Sequence, residues 1–124
     1  MVFLSDTTIF IDEAMTSLRG VSLVAEVQIV ESPYETSGPV QVADTPFTMG
    51  RGSDCSMPVL DDQASRYHCQ IEREGAVFYL KDLNSTNGTF LNGVRVVSSR
   101  LHAGDQIQVG SSQILFSVGY RFGG

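Results

Sequence analysis

Apolar and polar residues alternate along much of this chain with a period of two. Leu23, Ala25, Val27 and Ile29 fall on one side, with Glu26 and Gln28 on the other, the pattern of a half-buried strand. Shorter apolar pieces follow at residues 40–42, 47–49, 57–60, 68–72, 77–80, 89–91, 94–97, 107–109 and 114–118. Turn-forming residues punctuate them: Ser32 to Pro39, Gly52 to Cys55, Asp61 to Ala64, Glu74-Gly75, Ala103-Gly104-Asp105 and Gly110-Ser111-Ser112. Asn92-Gly93 lies between two apolar runs and predicts a tight hairpin, because both residues accept positive φ. Pro46 suits a strand edge or start. About eleven short strands at this spacing predict an all-β sandwich or barrel. The single helical stripe is N-terminal: Ile11, Ala14, Met15 and Leu18, with Gly20 as a stop. So short a helix is marginal in water by itself.

At 124 residues the chain is expected to form one domain with a core of its own. No apolar run approaches the ~20 residues that cross a bilayer. The first residues lack the basic start and apolar core of a secretion signal, so a cytoplasmic protein is expected. Cys55 and Cys69 are then expected as free thiols, Cys69 as a small core residue and Cys55 in an exposed polar loop. The net charge is −6, and Lys81 is the one lysine among eight Lys and Arg residues. An acidic chain is poorly suited to nucleic acid or anionic membranes, where affinity comes from many neutralised phosphates. A site for a single phosphate is still compatible, because guanidinium binds phosphate in a planar, bidentate manner.

Three segments carry candidate chemistry: Gly50-Arg51, then Ser65-Arg66-Tyr67-His68, then Leu80 to Gly93 with Ser85-Thr86-Asn87-Gly88 inside it. Each places hydroxyl, amide or guanidinium donors at a turn between apolar strands. None supplies a nucleophile with a positioned base, a Walker loop or metal-ligand spacing. Ser65 and His68, three residues apart at a loop-to-strand boundary with no orienting carboxylate, do not read as a catalytic pair. Asp82 reads as a turn-capping carboxylate. Asp54, Asp61 and Asp62 read as solvated loop charge, since their spacing matches no metal loop. His102 reads as a surface residue. The residues therefore describe a binding module for a charged group and not an enzyme, with no cofactor or metal.

The order and spacing of the three segments resemble the forkhead-associated (FHA) family over residues 22 to 118. The resemblance implies an FHA-type (SMAD/FHA) β-sandwich that binds phosphothreonine through loops at one end. On that pattern Arg51, Ser65, Arg66 and Thr86 meet the phosphate, and Asn87 holds the ligand main chain. Gly50, His68, Ser85, Gly88, Asn92 and Gly93 support the site, Asn92-Gly93 as the hairpin turn. Gln63 takes the place that contributes to ligand choice in some members. The implied partner is a phosphothreonine-containing protein, a Ser/Thr kinase or its substrate, bound by a monomer. The alternative is an assembly scaffold that binds without phosphate, against which the presence of the phosphate residues weighs.

Residues 1–21 read as an N-terminal extension and 119–124 as a tail. Thr7 and Thr8, after Asp6 and before apolar residues, read as a kinase target. They also resemble the Thr-Thr segment of small bacterial FHA proteins whose phosphorylated tail occupies its own site. The 14 residues from Thr8 to Ser22 span up to ~46–50 Å when extended, enough to cross such a domain.

Overall fold

The computed structural model describes residues 2–4 and 21–122. These residues form twelve strands: β1 (Val2–Leu4), β2 (Val21–Glu31), β3 (Val40–Gln41), β4 (Phe47–Gly50), β5 (Met57–Pro58), β6 (Cys69–Glu74), β7 (Val77–Asp82), β8 (Thr89–Leu91), β9 (Val94–Val96), β10 (Ser98–Leu101), β11 (Gln106–Val109) and β12 (Ser112–Phe122). They form two sheets. One runs β3-β2-β12-β11-β8-β9, with β1 added on β12; the other runs β10-β7-β6-β4-β5. Pairing is antiparallel except between β4 and β5. The all-β sandwich expected from the alternation is thus the fold.

The period-two residues do what their spacing predicts. Leu23, Ala25, Val27 and Ile29 of β2 are buried together with Ile107, Val109, Ile114 and Phe116 of the same sheet. They face Met49, Cys69, Ile71, Phe78 and Leu80 of the other. Phe78 and Phe116 meet across the sandwich edge to face, with ring centroids 5.4 Å apart. Each fully buried side chain of this size stabilises the fold by roughly 1.5–3 kcal/mol.

β12 organises the first sheet. Along one edge it pairs with β2 from Gln113 to Phe122. Along the other it pairs first with β11, through Ser112 to Leu115, and then with β1, through Val118 to Tyr120. The free side of β2 is covered by more than the two-residue β3. Ser37 exchanges bonds with Ile29 (its N–H to the Ile29 carbonyl, its Oγ accepting the Ile29 N–H), Val42 N–H donates to the Ala25 carbonyl, and Arg73 reaches the Leu23 carbonyl.

Several elements differ from the sequence reading. β10 was not expected: Ser-Ser-Arg-Leu has little alternation, and its place is set by pairing with β7 from Ser98↔Lys81 to Leu101↔Phe78. β12 continues to Phe122, four residues past the expected end, because β2 offers it a partner back to Val21. Val2–Leu4, expected in an extension, are a strand of the sheet. The helical stripe over residues 11–18 and the candidate Thr7 and Thr8 lie outside the described residues.

Two expectations about exposure are corrected. Cys55 is 7% exposed, not open to solvent, because its turn folds under Arg66 and its Sγ donates to the Arg66 carbonyl. Both cysteines are free, and burial pushes both thiols up. Asp61 is 2% exposed and is no solvated charge. Its Oδ1 accepts the Gln63 N–H, and its Oδ2 accepts the Ser111 N–H and the Ser112 hydroxyl. The loop after β5 is thereby tied to the turn between β11 and β12. Among the described residues no helix is long and apolar enough to cross a membrane.

Candidate functional site

The site grows from the end of β4. Beyond it, residues 64–68 run back alongside residues 49–52. Arg51 N–H donates to the Ser65 carbonyl, Gly52 N–H to the Arg66 carbonyl and His68 N–H to the Met49 carbonyl. The approach is so close that only glycine fits at position 50. A Cβ there would stand 2.4 Å from the Arg66 carbonyl oxygen and 2.8 Å from both the Ser65 oxygen and the His68 nitrogen. These are backbone atoms and cannot rotate away. Gly50→Ala is therefore expected to cost about 1–3 kcal/mol of stability through overpacking and to displace residues 64–68. Thermal unfolding and amide chemical shifts measure both; an unchanged melting point and unchanged shifts at Ser65 and Arg66 would contradict the close packing.

Arg51 is exposed, but its guanidinium is anchored: Nε donates to the Ala64 carbonyl at 3.1 Å. Its two terminal NH₂ groups have no partner among the described residues, so the Nε bond holds one edge of the guanidinium and leaves the rest of it available. Anchoring it beforehand reduces the entropy lost when it meets an anion. Ser65 sits at the centre of the arrangement. Its carbonyl takes the Arg51 N–H, its own N–H goes to His68 Nδ1, and its Oγ accepts the Thr86 N–H at 2.9 Å. The Ser65 hydroxyl hydrogen is left over as a donor, as is that of exposed Thr86.

His68 is fully buried and joins two loops. Nδ1 accepts from Ser65 N–H, so Nε2 carries the hydrogen and donates to the Gly88 carbonyl at 2.8 Å. Both ring nitrogens are committed to backbone, and neither touches the Ser65 hydroxyl. The geometry makes His68 a buttress and leaves no base for a Ser–His reaction.

The third loop is held from below by Asp82. Burial works to raise its pKa, but the Ser85 hydroxyl, the Thr89 hydroxyl and the Ser85 N–H bond its carboxylate and bring it below the usual range. Ser85 Oγ in turn accepts the Gly88 N–H. Asn84, with φ of 60°, and Gly88, with φ of 91°, make the left-handed bends that raise Thr86 and Asn87 to the surface. The Asn87 amide nitrogen donates to the Gln63 carbonyl at 2.9 Å, leaving its own carbonyl oxygen open.

Arg66 lies on the flank. Its guanidinium carbon is 5.7 Å from the Tyr67 ring centroid, a cation–π distance. The Tyr67 hydroxyl donates to Asp54, which lowers the Asp54 carboxyl and raises the Tyr67 phenol.

Arg51, Ser65, Thr86 and Asn87 thus share one end of the sandwich, with Arg66 beside them and Gly50, His68, Ser85 and Gly88 beneath. Asn92 and Gly93 are not in this cluster. They turn the chain at the other end of β8, with φ of 50° and 85°, where Asn92 bonds Asp105 and Gln106 N–H. They support the site only through the strand they turn. The sequence reading missed Asp61, which fixes the loop carrying Gln63 and Ala64, and Arg95, which lies over Gly88. Neither has a local signal, because each acts across a distance in sequence. Among the described residues no group of His, Cys, Asp or Glu side chains is placed to share a metal.

A two-sheet sandwich with Gly-Arg, Ser-x-x-His and Ser-Thr-Asn-Gly loops joined at one end defines an FHA-type module. The family model for the FHA domain matches residues 47–110, and this chain belongs to the FHA family. It is 31% identical over 91 residues to the FHA domain-containing protein FhaB of Mycobacterium tuberculosis, covering 73% of this chain and 59% of FhaB. It is 36% identical over 77 residues to the glycogen accumulation regulator GarA of Mycolicibacterium smegmatis, covering 61% of this chain and 49% of GarA. The chain therefore spans only about half to three-fifths of the length of these relatives. Among solved structures, the FhaA FHA domain complexed with the intracellular domain of Rv3910 superposes with a TM-score of 0.67 at 34% identity, over 74% of this chain and 98% of that one. A domain solved in a study of phosphothreonine-dependent FHA domain interactions gives a TM-score of 0.68 at 33% identity, over 75% of this chain and 94% of that one.

Proposed function

We propose that this chain is a phosphothreonine-binding module of protein kinase signalling that captures phosphorylated partner proteins at its loop end. The observation that carries this reading is the linkage through Ser65. Arg51 and Thr86 are bonded to the same residue from opposite sides, and each retains donors directed at no group among the described residues. A phosphothreonine offers nearly two negative charges and three acceptor oxygens, which such a donor set complements; an unmodified threonine offers neither. In this reading Arg51, Ser65, Arg66 and Thr86 meet the phosphate, and Asn87 bonds the ligand main chain. Likeness to a domain studied for phosphothreonine-dependent interactions supports it. Titration of a phosphothreonine peptide and its unphosphorylated twin, followed by an oriented peptide library, tests it. Equal binding of the twins refutes it.

A second proposal concerns the N-terminal threonines. β1 runs antiparallel to β12, from opposite Tyr120 toward Val118, and so heads toward the β11–β12 turn that Asp61 ties to the site. Thr8 is four residues past Leu4, a reach of ~14 Å, while that turn lies at least six residues along β12 from Val118. β1 must therefore leave β12 before a phosphorylated Thr7 or Thr8, on the 14-residue tether from Ser22, meets the site at an effective concentration in the ~mM range and closes it in cis. The expected result is that chain phosphorylated in vitro binds external phosphothreonine peptide more weakly and shifts the Arg51 and Ser65 amides. Unchanged affinity and shifts rule the switch out.

A further inference from the structure

We infer that Arg95 reads an acidic side chain next to the phosphothreonine, making it a specificity residue of the proposed site; the inference rests on the phosphothreonine reading above. Gly88 lies beneath the Arg95 side chain. A Cβ built there would stand 2.8 Å from Arg95 Nε and 3.1 Å from its Cζ, so the guanidinium lies directly over the Gly88 α-carbon. Arg95 pairs with Phe90 in the β8–β9 ladder, so its side chain leans back by two residues to reach the loop. The loop cannot yield beneath it, since the Gly88 N–H is held by Ser85 and its carbonyl by His68.

The charge on Arg95 is unspent. The residue is exposed and makes no ion pair among the described residues; the one close cation-type contact with a carboxylate there, His102 with Asp105, belongs to a separate turn. Gly88 directly follows Asn87 and is two residues from Thr86, so its α-carbon lies within ~7 Å of that of Thr86. A ligand whose main chain is held at Asn87 while its phosphate meets Thr86 must pass close to this guanidinium. On that reading the phosphate bed is already supplied by Arg51, Ser65, Arg66 and Thr86, which leaves Arg95 for a neighbouring ligand residue. On the other loop, exposed Asp62 adjoins Gln63, to which Asn87 is bonded. An acidic ligand residue is attracted at Arg95 and repelled at Asp62, so the preference is one-sided.

The test uses phosphothreonine peptides with alanine flanks, in which a single glutamate is moved through the three positions on either side. For the unaltered chain at low salt, glutamate at one position or two adjacent ones, all on one side, should tighten binding about 2–5-fold over alanine, the range of an exposed ion pair. Arg95→Gln should remove that gain without weakening the all-alanine peptide to the same degree, and high salt should shrink it. Arg95→Glu should reverse the preference toward lysine at the same position. Uniform loss across all peptides in Arg95→Gln would place Arg95 on the phosphate instead, and an unchanged glutamate preference would remove it from recognition; either overturns the inference. The reading beneath it fails separately, if the unaltered chain does not distinguish the all-alanine peptide from its unphosphorylated twin.

Discussion

Arg51→Ala is expected to weaken phosphothreonine binding by about 2–5 kcal/mol, a factor of ~30 to several thousand, and to cost the fold much less. The two effects separate because Arg51 meets the rest of the protein through few atoms. Its backbone N–H to Ser65 survives the substitution, and its side chain gives up only the Nε bond to the Ala64 carbonyl. That bond is worth about 0.5–1.5 kcal/mol to stability. The ligand, by contrast, would on the proposed reading lose a guanidinium that meets two oxygens of a doubly charged ester, while the other charged side chain of the proposed site, Arg66, leans on Tyr67. Arg51→Lys sharpens the measurement. It keeps the charge but cannot reproduce the planar pair of bonds, so its affinity should fall between the alanine variant and the unaltered chain. Calorimetric titration and thermal unfolding on the same samples check both halves. An alanine variant that binds as tightly as the original would take Arg51 out of the site.

His68→Ala should show the opposite balance, a large loss of stability that carries binding with it. The ring is fully buried, so truncation leaves a cavity and strands two backbone groups, the Ser65 N–H and the Gly88 carbonyl. Cavity and unsatisfied polar groups together suggest about 3–5 kcal/mol. Typical domains have only 5–15 kcal/mol in total, so the variant would be visibly destabilised. Amide exchange at Ser65 should accelerate beyond the global change, since its acceptor is gone. If stability falls by less than 1 kcal/mol and the Ser65 amide stays protected, His68 does not join the two loops as described. A variant that stays folded yet binds weakly would show that the ring acts by positioning Ser65 and Gly88, since it has no free nitrogen for the ligand.

Much of the fold was legible because the informative contacts are short-range. The alternation over 23–29 reports a buried face directly, and Asn92-Gly93 reports its own turn through the φ angles both residues adopt. The site was legible in its parts because Gly50, Ser65, His68 and Thr86 occur in a recognisable order, although their mutual bonds could only be read from the structure. What stayed hidden depends on partners far along the chain. Ser98–Leu101 is a strand only because β7 lies beside it. Asp61 looks like any loop aspartate until Ser112, 51 residues later, closes on it. Cys55 sits among polar neighbours, and its burial follows from the fold of the Gly52 turn beneath Arg66. Arg95 is separated from Gly88 by a hairpin, and nothing within that hairpin shows that its side chain turns back.

The bonds that Ser37, Val42 and Arg73 make along β2 bear on how the molecule behaves in crowded solution. An eleven-residue strand with an open flank would invite a second copy to dock alongside it and grow into fibrils. Here that flank is already spoken for, and the outermost strands among the described residues are short, two residues in β3 and β5, three in β1 and β9 and four in β10, too short to template a ladder. Like-charged molecules at −6 also keep their distance. Concentrated samples should therefore stay dispersed, leaving the turns, not the ladder rims, as the surface through which this protein meets others.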